Sequence, residues 1–291
     1  MTGIIVDAHT HIWDLGLTPQ PWIEPDAAST LKRNFSLQEL KDNASQTSVK
    51  QAIVVQTVNE LKETERLLLC AESESFIAGV VGWTDFTSPD GEGEIERLLA
   101  GPGGNRLLGF RHVFAAGEAD QWMYNGQVNA TFQTLARLNL SFDLLLREQE
   151  LPLALSLVRR HPEVTFVLDH LAKPDVRGES FEPWRTYITA LAHAPNVHAK
   201  FSGLPYEADW RAWSAETLAP FFEIALQVFT SERLIFATDW PVCTVAGSYT
   251  KVLDEQVKLC HALTPPEVEM MLGGNARKAY RIRFHHSGEN E

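Results

Sequence analysis

Two histidines near the start of the chain have the spacing of a metal site. His9 and His11 are separated by one residue and directly follow residues 4–8, a run that is apolar except for Asp7. In an extended chain the side chains of residues i and i+2 point to the same side, so both imidazoles can converge on one ion. Neutral imidazoles bind zinc and similar divalent metals. The spacing therefore predicts a divalent metal site, and two unrelated surface histidines are the alternative.

A carboxylate and a third histidine follow two further apolar runs. Asp239 comes directly after residues 234–238, where a carboxylate without a partner is costly to bury. His170 follows residues 164–169, and periodicity alone does not decide whether Asp169 or His170 points inward. Both strand ends are therefore candidates for chemistry, with a turn-capping Asp and a core or helix-capping His as the ordinary alternatives.

The elements that would position these residues alternate along the chain. Short runs rich in Val, Ile, Leu and Phe are separated by amphipathic segments, which is typical of parallel strands covered by helices. Eight such units favour an α/β fold, a (β/α)8 TIM-like barrel in a single domain over residues 1–291. A doubly wound open sheet is the alternative, but the sequence contains no glycine-rich nucleotide-binding fingerprint. The predicted strands are residues 4–8, 51–58, 77–84, 107–114, 141–146, 164–169, 197–201 and 234–238.

Helices and two irregular segments account for the rest of the chain. Start signals of the capping-box type begin at Ser36 and Thr264. Residues 15–33 contain Pro and Trp without periodicity, and we expect them to form an insertion over the barrel mouth. Residues 284–291 are predicted to be a polar tail. Further helices are predicted over residues 61–74, 151–160, 183–194 and 216–229.

A barrel of this type builds its active site at the C-terminal ends of the strands. Among the ten histidines, that position selects His9, His11, His112 and His170. Closure of the barrel sets the eighth strand beside the first, so we expect Asp239 to lie close to His9 and His11. The remaining histidines are expected at the surface or at helix ends: His161, His193, His198, His261, His285 and His286.

The composition excludes several classes of partner. Lys and Arg total 25 against 38 for Asp and Glu, and the net charge of −13 argues against nucleic acid and anionic membrane surfaces. Three cysteines without Cys-x-x-Cys spacing encode neither a disulfide framework nor a thiolate zinc site. The sequence has no signal-peptide pattern and no stretch of about 18 apolar residues. We therefore expect a cytoplasmic protein with no membrane partner, and leave open whether it forms a homo-oligomer.

Three strand-end motifs resemble those of a known family. They are His-x-His at residues 9–11, Leu-Asp-His-Leu-Ala-Lys-Pro at residues 168–174 and Ala-Thr-Asp-Trp-Pro-Val at residues 237–242. Together they are similar to the amidohydrolase superfamily, and most of all to its lactonase branch. The resemblance extends from Asp7 to about Arg281. It implies a distorted (β/α)8 barrel with a reaction centre formed by His9, His11, His170 and Asp239.

The resemblance also implies a cofactor and a reaction. One divalent metal, zinc in this interpretation, would bind at His9, His11 and Asp239, with a metal-free site as the alternative. A bridged two-metal site is not expected, because the run 107–114 contains no Lys. The implied enzyme is a carboxylic ester hydrolase of sugar catabolism that opens an aldonolactone such as L-fucono- or L-rhamnono-lactone. Water would attack the carbonyl, with Asp239 and His170 as catalytic residues.

The small-molecule lactone would bind among aromatic and polar side chains at the barrel mouth. Aromatic faces pack on the C–H surfaces of sugar rings, and an Arg can bind hydroxyl or carboxylate oxygens. Arg111 and His112 alternate along the fourth strand, so only one is expected to point inward, and Arg111 is also a candidate for holding the developing anion. The substrate-binding candidates are Arg111, His112, Trp22, Trp83, Trp240 and Tyr206, with packing as the alternative role of each.

Three other functions stay open at this point. A metal-dependent decarboxylase of an unsaturated or aromatic acid would use a similar set of residues, and so would a lactonase of the 2-pyrone-dicarboxylate type. A non-enzymatic sugar-binding barrel is the third alternative. Because Arg111 is one of few basic residues expected at the mouth, we favour a mostly neutral, hydroxyl-rich substrate.

Overall fold

Eight parallel strands form one sheet in sequence order and curl into a nearly closed barrel. The computed structural model describes residues 4–282. It confirms the predicted fold class. The strand predicted over residues 197–201 has those bounds, and the other seven are found with one or both ends shifted by one to three residues. The strands are β1 (Ile5–Thr10), β2 (Val49–Val55), β3 (Ile77–Gly82), β4 (Leu107–Arg111), β5 (Ser141–Leu144), β6 (Phe166–Leu168), β7 (Val197–Phe201) and β8 (Leu234–Phe236).

Helices cover the outside of the sheet between successive strands. The Ser36 hydroxyl accepts a hydrogen bond from the N–H of Glu39, and the Thr264 capping box is also present, as the sequence predicts. The α-helices of the described residues are α1 (Ala28–Leu31), α2 (Leu37–Ser45), α3 (Leu61–Glu72), α4 (Gly91–Ala100), α5 (Glu118–Met123), α6 (Gly126–Leu138), α7 (Leu151–Arg160), α8 (Trp184–Ala192), α9 (Leu204–Glu207), α10 (Ala215–Phe229), α11 (Tyr249–Leu259), α12 (Pro265–Glu269) and α13 (Asn275–Ala279). Short 3₁₀ turns span Pro25–Ala27, Gly104–Arg106, Glu148–Glu150, Asp169–Ala172, Val242–Val245 and Cys260–Ala262, and a π-helical turn spans Met270–Gly274.

The interior of the barrel is closed at the N-terminal ends of the strands. A compact apolar cluster fills it, with Val and Ile side chains of β1, β2, β3, β6 and β8 at its centre. Residues of α13 and the following Tyr280 join this cluster from below. The Asn275 amide donates a hydrogen bond to the carbonyl oxygen of Leu234 at 2.6 Å, which fixes α13 to β8. Among the described residues, the interior is therefore open to a ligand at the C-terminal ends of the strands.

Residues 15–33 lie beside that open end. Trp13 and Phe35 pair their backbones at the base of the segment, with N···O distances of 3.0 and 2.9 Å. Trp22 and Glu24 contribute to the wall of the cavity described below. The predicted polar tail, residues 284–291, falls outside the described residues. Between residues 4 and 282, no helix combines the length and the apolar character needed to cross a membrane.

Two of the histidines expected at the surface or at helix ends are buried, and one of them, His161, lies at the predicted helix end as the C-cap of α7. His161 stacks on Phe132 at a centroid distance of 4.9 Å and bonds to the side chain of Asn129 at 2.8 Å. His198 lies on β7 and is only 6% exposed. Burial, together with the charges of nearby cationic side chains, lowers the pKa of His198 from 6.5 to about 4. The folded protein therefore holds this imidazole neutral.

His198 should make the stability of the fold depend on pH. In the unfolded chain it takes up a proton below about pH 6.5, whereas the folded chain resists protonation until about pH 4, so the free energy of unfolding falls as the pH is lowered between these values. We expect this one residue to account for a loss of about 2–3 kcal/mol between pH 7 and pH 4. Urea denaturation at both pH values should show a correspondingly smaller loss in His198→Gln. Equal losses in the two proteins would contradict this account.

Candidate active site

Three imidazoles and one carboxylate meet at the open end of the barrel. The Nε2 atoms of His9 and His11 are 3.2 Å apart. Asp239 Oδ1 lies 3.7 Å from the first, 3.5 Å from the second and 3.9 Å from His170 Nε2. All four residues are buried, and His9, His170 and Asp239 form a group with the proximity of metal ligands. Ligand atoms around a tetrahedral zinc are about 3.4 Å apart, so the cluster matches the spacing needed to hold a single divalent cation.

Irregular backbone at the ends of β1 and β8 brings these groups together. Asp7 and Thr10 are three residues apart but pair with β2 residues only two apart, so β1 carries one extra residue there. Such bulges redirect side chains next to active sites. Asp239 has a φ of 63°, and its N–H donates to the carbonyl oxygen of His9 at 3.0 Å. The carboxylate is therefore fixed against the histidine that it faces.

Hydrogen bonds on the far side of two rings orient them toward the centre of the cluster. His11 Nδ1–H donates to the carbonyl oxygen of Val55 at 2.7 Å, which leaves the Nε2 lone pair directed at the site. His170 Nδ1 bonds to the hydroxyl of Ser202 at 2.9 Å. Burial lowers the pKa of His170 to about 4, and burial with the nearby charge of Lys200 holds that of His9 well below its ordinary value. The rings of His9 and His170 are therefore neutral at neutral pH, as metal ligands must be.

Sequence reasoning missed a buried ion cluster directly behind His9. Lys200 Nζ lies 2.6 Å from Asp143 Oδ2, 3.0 Å from Asp169 Oδ1 and 3.0 Å from His9 Nδ1. The Tyr280 hydroxyl donates to Asp143 at 2.9 Å. Asp143, Asp169 and His9 are also close enough to one another to hold an ion, but the Lys200 ammonium lies against both carboxylates. The Lys200 ammonium therefore supplies the positive charge that a metal ion would otherwise supply between these carboxylates.

A signal for this cluster is present in the sequence. Lys200 and Asp143 each interrupt an apolar strand, and a buried charge needs an opposite partner. Burial raises the pKa of Asp143 to about 6. Burial would also raise that of Asp169, but Lys200, His9 and Arg111 together hold it well below its ordinary value. The cluster thus keeps Asp169 ionised without access to water.

The structure resolves both pairs whose orientation the sequence left open. Arg111 points inward, and its Nη1 lies 3.1 Å from Asp169 Oδ2, whereas His112 packs outside the barrel against Trp122 at a ring distance of 4.8 Å. Asp169 and His170 both point inward. Strand alternation does not apply to them, because β6 ends at the residue before Asp169 and the chain then enters a turn in which His170 has a φ of 53°.

A cavity of about 640 Å³ opens above the imidazole cluster. The predicted site residues that line it are His11, Trp22, Arg111, His170, Tyr206 and Asp239. The other four candidates, His9, His112, Trp83 and Trp240, contribute no atoms to its wall. Trp83 Nε1 donates to His112 Nδ1 at 3.2 Å, and Trp240 is 1% exposed and packs edge-on against Phe35.

The comparison with known families agrees with this geometry. A family model described as amidohydrolase matches residues 6–282. The chain belongs to the amidohydrolase family. Among curated proteins, this amidohydrolase is 31% identical over 281 residues to the L-fucono-1,5-lactonase of Burkholderia ambifaria, covering 95% of each chain. It is also 31% identical over 294 residues to the L-fucono-1,5-lactonase of Burkholderia multivorans, covering 97% of each.

A solved structure shares the same architecture. It is a Burkholderia multivorans amidohydrolase with bound zinc, and it superimposes with a TM-score of 0.89 at 29% sequence identity. The match covers 96% of this chain and 100% of that one. The likeness therefore extends over the whole barrel.

Removing the Lys200 charge should destabilise this amidohydrolase strongly. Lys200→Met leaves two buried carboxylates without their shared cation, and we expect a loss of about 3–5 kcal/mol in the free energy of unfolding, measured by urea denaturation. The double variant Lys200→Met/Asp143→Asn removes one carboxylate as well and should recover part of that loss. A loss below about 1 kcal/mol in the single variant would show that the ion cluster does not stabilise the barrel.

Proposed function

We propose that this amidohydrolase hydrolyses the ring ester of a sugar-acid lactone. The observation that carries the proposal is the position of Asp239, a buried carboxylate that lines an open cavity and faces three imidazoles at 3.5–3.9 Å. The names of the two Burkholderia relatives support a lactone as the substrate. We infer an aldonolactone such as L-fucono-1,5-lactone.

Asp239 would move the protons of this reaction. As the water oxygen forms a bond to the lactone carbonyl carbon, the carboxylate accepts a water proton. The tetrahedral anion then collapses, the ring C–O bond breaks, and Asp239 returns the proton to the departing ring oxygen. The product is a hydroxy acid, which releases one proton at neutral pH. Asp239 Oδ1 faces the imidazoles, so Oδ2 is the oxygen we assign to proton transfer.

Arg111 and His170 would hold the anion that develops on the carbonyl oxygen. Both line the cavity beside Asp239. Arg111 is fixed by Asp169 and by a hydrogen bond to the carbonyl oxygen of Gln56, so little reorganisation is needed during the reaction. His170 is neutral and fixed by Ser202.

We further infer that the cluster binds one divalent metal, with zinc the preferred ion. His9, His11 and Asp239 would hold it, which leaves His170 free to hold the anion. The donor set of neutral imidazoles and a carboxylate fits zinc, and a related amidohydrolase has been solved with zinc bound. Such a metal would polarise the carbonyl or lower the pKa of a water molecule.

Trp22 and Tyr206 are the aromatic surfaces that we assign to the sugar ring, because both line the cavity. Its volume of about 640 Å³ accommodates a six-carbon lactone. We assign no substrate contact to His112, Trp83 or Trp240. A cytoplasmic location, a role in sugar catabolism and a single domain over residues 1–291 remain predictions.

Replacing the proposed base should abolish turnover. We expect Asp239→Asn to lower kcat by about 10²–10⁴-fold, because the amide cannot accept the water proton. Proton release from a panel of sugar 1,4- and 1,5-lactones measures the reaction directly. Asp254→Asn makes the same chemical change on the exposed side of α11 and should leave kcat within about twofold of wild type. Wild-type kcat in Asp239→Asn would refute the role of base, and no turnover of any lactone by wild type would refute the proposed function.

Zinc binding should depend on the histidines of β1. After removal of metal with a chelator, we expect the wild type to take up about one zinc per chain and to recover lactone hydrolysis. Equilibrium dialysis followed by metal analysis should show much lower zinc content in His11→Asn. His193→Asn, at an exposed helix end, is the matched control. If the wild type takes up no zinc and is insensitive to the chelator, the reaction is metal-free.

A further inference from the structure

Two oppositely charged side chains in the cavity wall have no use in the reaction described above. Lys173 and Glu207 both line the cavity, on the same side as His170. Both are only partly exposed. Over residues 4–282, neither side chain forms a hydrogen bond or an ion pair, so the ammonium and the carboxylate are both available to a ligand.

Lys173 is presented by a backbone conformation that most residues avoid. His170, Leu171, Ala172 and Lys173 have φ values of 53°, 50°, 59° and 53°, and none is glycine. Consecutive left-handed residues are disfavoured because each Cβ approaches a carbonyl oxygen. The turn is held by Trp184, whose indole N–H donates to the carbonyl oxygen of Leu171 at 2.7 Å. Strained backbone of this kind persists where the surrounding structure imposes it, commonly at functional sites.

Glu207 is presented by the neighbouring strand end. Gly203 follows β7 with a φ of 70°, and a Cβ there would lie 2.6 Å from the His170 ring, so glycine alone fits. Gly203 is the N-cap of α9, and Glu207 is the last residue of that helix. Arg177 donates its backbone N–H to the Glu207 carbonyl oxygen at 3.2 Å and its guanidinium to that of Ala208 at 3.1 Å. The segment after β6 and the segment after β7 are therefore joined, and both charged groups belong to one wall.

The chemistry of this wall suits a neutral ligand with several hydroxyl groups. An ammonium donates hydrogen bonds to hydroxyl oxygens, and a carboxylate accepts them from hydroxyl protons. Hydrogen bonds to charged groups are about twice as strong as neutral ones. A dianionic ligand would instead meet a wall with more carboxylates than cations: five acidic side chains line the cavity (Glu24, Asp120, Glu150, Glu207 and Asp239) against three basic ones (Arg111, Arg147 and Lys173). The wall therefore favours a neutral polyol over a dicarboxylate.

We propose that Lys173 and Glu207 bind the ring hydroxyl groups of the substrate and thereby select polyhydroxylated lactones over unsubstituted ones. The inference rests on the proposed lactone hydrolysis and assigns its specificity to residues separate from the proton-transferring Asp239. Both residues would contact substrate without touching the ester that reacts.

The test compares two lactones with the same six-membered ring. Steady-state kinetics would be measured with a six-carbon aldono-1,5-lactone and with δ-valerolactone, which has no hydroxyl groups. For Lys173→Met and for Glu207→Gln we expect kcat/KM on the aldonolactone to fall about 10- to 100-fold, and kcat/KM on δ-valerolactone to stay within about twofold of wild type. Lys32→Met and Glu223→Gln make the same changes at exposed positions outside the cavity and should alter neither value.

A binding measurement separates this inference from the proposed function. A 1,5-anhydrohexitol has the hydroxylated ring without the ester, and calorimetry would compare its affinity for wild type and for the two variants. Weaker binding to both variants supports the subsite even if the wild type hydrolyses no lactone, in which case the proposed function is wrong. Equal losses of kcat/KM on both lactones, or unchanged kinetics and unchanged anhydrohexitol binding, would overturn the inference.

Discussion

Pairing of charges inside the barrel is the constraint on which the rest of the site depends. Lys200, Asp143 and Asp169 have no exposed surface, and Arg111 has almost none. A buried charge without a partner costs several kcal/mol, so these side chains must meet. They come from β4, β5, β7 and the turn after β6, and their pairing fixes how these elements lie relative to one another. His9, in contact with Lys200, is oriented by the same cluster.

The contacts that close the barrel between β1 and β8 also assemble the reaction centre. β1 and β8 are joined by few backbone hydrogen bonds, one of them from His11 N–H to the carbonyl oxygen of Trp240 at 2.7 Å. The Asp7 carboxylate adds a further link between the two strands by accepting a hydrogen bond from Thr238 N–H at 2.9 Å. Burial raises the pKa of Asp7 to about 6 despite these bonds. Separation of β1 from β8 would move Asp239 away from the imidazoles. Correct folding of β8 is therefore required for catalysis at this site.

The sequence was sufficient for the barrel and for the cluster at its mouth, because strand periodicity and strand ends are local properties. The sequence was insufficient to predict charge partners, side-chain orientation and burial wherever these depend on contacts between distant parts of the chain. The partner of Lys200 could not be read from β7 alone, since Asp143 lies 57 positions away. Alternation failed at His170 because a left-handed turn replaces the strand. His198 was placed at the surface because the sequence does not show that α13, near the end of the chain, covers that end of the barrel.

The charges of the barrel fall into two groups with different consequences. Those behind His9 neutralise one another and are closed to water, so they can hold the reaction centre in place but cannot bind a substrate. The cavity wall holds charges of the second group, among them Lys173, which a strained turn presents, and Glu207, at the end of α9, and both are available to a ligand. An ammonium and a carboxylate that are both free to form hydrogen bonds suit a ligand that itself supplies both donors and acceptors, as a ring bearing several hydroxyl groups does.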